Sequence, residues 1–268
     1  MVTANPPKIK PRRPDTTRLR GIAGRSLAVI GAFALLSVCV IGARAGIADV
    51  IAEDAIARQS ALQGIAVKTG EPATALTVKA IREALLDAQR LDAGNPTLAE
   101  QLGELYALVV RGEGANQFAG AQYDKALEQY SRAVLRRPTS PYSWANLAWI
   151  KYQTGRVDAV FYRALENAAR LGPWEPEVQF TVVDLGFATW DEMPTPLQPH
   201  IIELAKNTQR RHADKLASIA ARRGRLAQVC KFEKLVKLPA CVAHSAITTP
   251  DTVSLFPVRP EPVEGRDV

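Results

Sequence analysis

Three histidines, three cysteines and scattered carboxylates are the residues of this chain with chemical potential. His200, His212 and His244 stand apart from one another and from every cysteine. None has an aspartate, cysteine or second histidine at metal-ligand spacing, and no H-E-x-x-H, C-x-x-C, nucleophile elbow or phosphate-binding loop occurs. Isolated histidines of this kind are surface residues more often than ligands. The acidic residues spread over helical segments without a paired set that would divide acid and base roles. Catalytic, cofactor-binding and metal-binding residues are therefore all expected to be none. An enzyme with an unrecognised site is the third-ranked reading, and no cofactor is implied.

Two other groups have spacing worth following. On the segment that starts at Pro141, Trp144, Leu147, Ala148 and Lys151 share one side at 100° per residue. Tyr142, Ala145, Trp149 and Tyr152 share the opposite side. Such a helix is either buried on both faces or presents its second face to a partner. Further on, residues 205–237 hold ten Lys/Arg against Asp214 and Glu233. Lys206, Arg210, Arg211 and Lys215 are spaced to share a helix face. Two readings stay open: an ordinary solvated face, or contact with an anionic partner such as lipid headgroups, an acidic glycan or an acidic protein.

The elements that must position these residues come from a repeat. Ala126, Tyr130, Ala133 and Pro138 are followed by Pro141, Trp144, Leu147 and Ala148. Small residues let two helices approach closely, aromatics fill the space left, and prolines end one hairpin and open the next. Three boundaries share a form: Ala93-Gly-Asn-Pro96, Pro138-Thr-Ser-Pro141 and Pro173-Trp-Glu-Pro176. Starts at 96, 141 and 176 are 45 and 35 residues apart. The longer interval is expected to hold a loop insert over Arg111–Ala121, glycine-rich and without helical period. Leu102, Gly103 and Tyr106 add an L-G-x-x-Y spacing. The pattern resembles the tetratricopeptide repeat, a helix–turn–helix unit of about 34 residues. The third unit keeps only Val182 and Val183.

That resemblance implies an α-α superhelical array in which the first helix of each unit lines a concave groove. It places Tyr142, Asn146, Trp149 and Tyr152 in the groove, with Phe180, Asp184 and Phe187 from the third unit and Glu100 and Glu104 from the first. Tyr142, Trp149, Tyr152 and Phe180 would then form one accessible patch, unless a terminal helix covers it. Aromatic faces suit sugar rings and peptide anchors alike. Ala168–Pro176 also resembles a segment of short repeat proteins encoded with bacterial exopolysaccharide biosynthesis genes, which implies an accessory role in polysaccharide assembly or export.

Charge and hydropathy set the location. The chain has 268 residues and a net charge of +7. Residues 1–25 hold seven Lys/Arg against Asp15 and are expected to be disordered. Ser26–Ala43 carries no charge and would extend about 27 Å as a helix, close to a bilayer core. Basic residues before it and only Arg44 soon after place the N-terminus in the cytoplasm. Ala43-Arg44-Ala45 also fits a cleavage site, so an uncleaved anchor and a signal peptide both remain open.

The expected organisation is all-α. It runs from the basic segment 1–25 to a transmembrane helix or signal peptide at 26–46. A stalk helix at 47–72, with Ile47, Val50, Ile51, Ala55 and Ile56 as its stripe, leads into repeats at 73–210. Basic helices at 211–249 and a disordered tail at 250–268 complete it. The tail run PVRPEPVEG resembles a peptide added by a repeated DNA element, which implies no function.

Export leaves Cys230 and Cys241 in oxidising surroundings while Cys39 lies in lipid, so the exported pair is a candidate disulfide. Two unrelated buried thiols are the alternative. The functional expectation is a non-enzymatic scaffold or binding protein of the bacterial inner membrane, bulk periplasmic. Its partners would be envelope proteins or a glycan, with lipid around 26–46 and no nucleic acid. A role in exopolysaccharide biosynthesis stands beside general assembly of an envelope complex, such as secretion or cofactor maturation.

Overall fold

The computed structural model describes residues 16–69, 75–113 and 119–248. These form α1 (Thr16–Thr69), α2 (Ala75–Leu91), α3 (Pro96–Glu113), α4 (Ala119–Arg136), α5 (Pro141–Gln153), α6 (Ala159–Leu171) and α7 (Pro176–Ala188). A single 3-10 turn at Thr195–Leu197 leads into α8 (Gln198–Arg222), α9 (Leu226–Val229) and α10 (Pro239–Thr248). Among the described residues there is no strand.

Packing follows chain order. The closest partnerships are α1 with α2, α3 with α4, α5 with α6 and α7 with α8. The second helix of each pair then packs on the first helix of the next. The seams are built from small residues: Ala126, Ala133, Ala148, Ala164 and Ala168 are fully buried. A Cβ on Gly103 would sit 2.8 Å from the Tyr130 ring, so only glycine lets α3 and α4 meet at this distance. Helix starts obey local chemistry. Pro141 opens α5 behind Ser140, whose hydroxyl accepts from the Ser143 N–H. The Asp158 carboxylate caps α6 by accepting from Val160 and Phe161 N–H. Gly155 turns the chain between them at φ +67°, a region that L side chains avoid.

α1 runs unbroken for 54 residues, about 81 Å at 1.5 Å per residue. From Val29 to Ile47 its large apolar side chains are exposed, and it is long and apolar enough to cross a membrane. Beyond that stretch Ala48, Ala52, Ala55 and Gln59 turn inward. Gln59 Nε2 donates to the Gln101 carbonyl at 3.2 Å, seating α1 on α3 as well as α2.

Several expected boundaries differ. The helix already begins at Thr16, inside the basic segment expected to lack structure, and no break separates the apolar span from the stalk. Helix propagation is cheap once nucleated, and Gly42 and Gly46 in open space do not stop it. The expected insert Arg111–Ala121 is helical at both ends, since α3 reaches Glu113 and α4 starts at Ala119. Its centre, residues 114–118, lies outside the described residues, as do 1–15, 70–74 and the tail 250–268. The boundary at 210/211 falls within α8. There the helix bends at His212 (φ −134°, ψ 44°), giving a first arm 198–211 and a second arm 213–222.

Candidate binding cleft

Three helices, α3, α5 and α7, bring their N-terminal halves together around a cleft of about 270 Å³. Glu100, Gln101 and Glu104 come from α3, Tyr142, Ala145 and Asn146 from α5, and Glu177, Val178 and Thr181 from α7. The wall is fixed by the α4–α5 turn. Ser140 and Ser143 hydroxyls donate to Glu100, and Arg137 lies 3.6 Å from the same carboxylate while also donating to Thr97 Oγ1 at 2.9 Å. Glu100 is thus committed to structure. Glu104 and Glu177 have no ion-pair partner among the described residues.

Tyr142 is exposed, and its hydroxyl donates to Glu175 at 2.5 Å. That hydrogen bond to a carboxylate, with some burial, pushes its pKa up to about 12. The phenol therefore stays a neutral donor throughout the physiological range. Asn146 is half-buried, with no hydrogen-bond partner among the described residues. Two uncommitted carboxylates, a free amide and one phenol ring can accept from cationic or peptide N–H groups.

The other half of the same α5 face is covered. Trp149 and Tyr152 are half-buried and packed against the core, as is Phe180 of α7. The second arm of α8 and its C-cap Arg223 lie against Phe180 and Tyr152. Arg223 donates to both Asp184 oxygens, at 2.9 and 2.7 Å, and Arg222 adds a third bond at 2.8 Å. The Arg223 guanidinium stands 5.7 Å from the Tyr152 ring centre. Lys215 stands 5.9 Å from that of Phe180, and His212 meets Phe180 edge-on. Burial alone would raise the Asp184 pKa, but the two arginines outweigh it and hold the carboxyl below its ordinary value. Arg225 pairs with Asp191 and donates to the Phe187 carbonyl.

The expected groove set is therefore divided. Glu100, Glu104, Tyr142 and Asn146 line the cleft. Trp149, Tyr152, Phe180 and Asp184 do not line it: Tyr152, Phe180 and Asp184 meet the returning part of α8 and Arg223, Trp149 is half-buried against the core, and Phe187 is 1% exposed and belongs to the core. Sequence reasoning missed Gln101, Glu177 and Thr181. A signal for two of them existed: Gln101, Asn146 and Thr181 all stand five residues after the repeat starts at 96, 141 and 176.

Cys230 and Cys241 are joined in a disulfide with Cα atoms 5.2 Å apart, which ties α9 to α10 beside α8. Cys39 is a free, exposed thiol on the apolar stretch of α1. His200 is exposed on α8, His212 forms the bend, and His244 lies in α10. No group of three His, Cys, Asp or Glu could hold a metal among the described residues. Comparison with protein-family models and with curated proteins finds no match to this chain.

Proposed function

We infer that this chain is a membrane-anchored scaffold of the tetratricopeptide-repeat type, without catalytic activity, that receives a basic, extended segment of another envelope protein. The observation that supports this most is the cleft of α3, α5 and α7. Its uncommitted groups, Glu104, Glu177 and Asn146, come from three successive hairpins and suit Lys or Arg side chains plus peptide N–H groups. The exposed apolar stretch of α1 supports the anchor, and the charge imbalance around it supports a cytoplasmic N-terminus with the hairpins in a bacterial periplasm. Assembly of an envelope complex is the leading role. Polysaccharide binding is the second reading, favoured by the exposed Tyr142 ring beside Asn146.

A photo-crosslinking residue in place of Asn146, in the full chain in native membranes, tests the choice. A discrete protein adduct that disappears with Glu104→Lys is expected. Absence of any protein adduct, together with retention on an immobilised polysaccharide, would reverse the order of the two readings. Reporter fusions at Gly70 test the orientation; activity of a cytoplasmic reporter there would overturn it.

A further inference from the structure

The turns that join one hairpin to the next all lie along one edge, which can be followed contact by contact. Arg44, at the end of the charge-free stretch of α1, donates to the Arg90 carbonyl at the end of α2. Arg137, after α4, reaches back to Thr97 at the start of α3. A Cβ on Gly172, after α6, would touch Pro141 at the start of α5. Arg210, near the end of the first arm of α8, stacks over Trp174 in the turn before α7, 5.5 Å from its ring centre. This edge is level with the point where α1 stops being apolar.

Its charges differ from those of the opposite edge. There Arg156 pairs with Asp124, Arg222 and Arg223 with Asp184, and Arg225 with Asp191. On the α1-proximal edge Arg90 pairs with Asp87 and Arg137 with Glu100, but Arg136, Arg170, Arg210 and Arg211 are exposed, and none of these four has a carboxylate partner among the described residues. A cation at a helix C-terminus is favoured by the helix dipole, which explains Arg136 and Arg170 in the last turns of α4 and α6 but not the adjoining Arg210 and Arg211. Two large apolar side chains share that edge: Leu135 is 81% exposed and Trp174 60%. Unpaired arginines beside an exposed indole are the side-chain mixture that suits a headgroup layer.

We propose that this edge, from Arg136 to Arg211 through Trp174, rests on the anionic lipid headgroups of the membrane that α1 spans. The proposal rests on the anchored reading of α1 and extends it. The membrane is then a second contact surface, and the hairpins lie down on it rather than standing off on a stalk. It also assigns the basic first arm of α8 a partner. The cleft of α3, α5 and α7 opens just above that surface, so its partner would approach along the membrane.

The test uses the full chain reconstituted in vesicles that contain a headgroup spin-labelled lipid. The Trp174 signal is taken as the difference between wild type and Trp174→Phe. In vesicles with phosphatidylglycerol this signal should be quenched. In phosphatidylcholine alone, or in high salt, the quenching should be relieved. Arg136→Glu, Arg210→Glu and Arg211→Glu should each shift the docked-to-undocked ratio by at least about fivefold. High salt on the wild type repeats that test without any substitution. Quenching equal in both lipids overturns the headgroup assignment. An unquenched Trp174 in a chain that resists carbonate washing overturns docking and leaves the anchor standing. A chain that carbonate strips from the vesicles overturns the anchor, and docking with it.

Discussion

One face of α5 meets two different fates. Near its N-terminus, Tyr142 and Asn146 open onto the cleft with Glu104 and Glu177. Two turns later, Trp149 is half-buried against the core and Tyr152 lies beneath Arg223, the C-cap of α8. The residues are of similar kind and share one stripe of one helix. What separates them is where α8 bends. The turn at His212 sends the chain back along α7, and Arg223 anchors it on Asp184. An exposed aromatic patch is thus removed by the protein's own C-terminal segment, while the acidic end is left open.

The comparison can be broken most severely from below. Phe161 is fully buried and stands 6.5 Å from Tyr152, ring centre to ring centre. Phe161→Ala should lower stability by about 3–5 kcal/mol and loosen both halves of the face, read as a large drop in melting temperature. A melting temperature equal to wild type would remove Phe161 from the core.

Next in size is the disulfide. Cys230→Ser with Cys241→Ser should reduce stability by about 3 kcal/mol in the chain-entropy model. The loss should appear as faster hydrogen exchange in α8–α10, with α3 and α4 unchanged. Thiol counting on denatured, unreduced protein should find one free thiol, that of Cys39; three would refute the bond in solution.

The clasp itself comes third. Asp184→Ala removes the acceptor shared by Arg222 and Arg223 and should weaken the covered half by about 1–3 kcal/mol. Exchange protection over residues 213–222 should fall. Unchanged protection would mean that apolar packing alone holds the arm.

Acid should act on the same contact more gently. The folded Asp184 pKa lies below its ordinary 3.8, so the unfolded chain binds the proton more readily. The stabilisation is therefore fully present above that ordinary value and fades as pH falls through the lower folded value. Exchange in the second arm of α8 should rise only below about pH 4. A rise near neutrality would implicate a group other than Asp184.

The smallest effect on stability belongs to the open half. Glu104→Ala removes a carboxylate with no ion-pair partner among the described residues and should change stability by less than about 0.5 kcal/mol. Partner crosslinking at Asn146 should nevertheless drop. A melting loss as large as that of Asp184→Ala would show that the cleft is structural, and the contrast between the two halves would disappear.

Sequence periodicity was sufficient for the helical class and the apolar span, and for the small-residue seams at Ala126, Ala133 and Ala168. Those features are local: a helix face is set by residues three and four apart, and a bilayer core by an uninterrupted apolar run. The helix starts at Pro141 and Pro176 were legible for the same reason, since a proline at the first helical position acts within one turn. Two things were decided only by the tertiary structure. One is that the lower part of α1, through Ala48, Ala52, Ala55 and Gln59, packs on α2 and α3. The other is which part of the α5 face stays open. That depends on Arg223 meeting Asp184, 39 residues away in sequence. A contact of that range leaves no periodic trace, because it is fixed by the angle of one bend rather than by spacing along the chain.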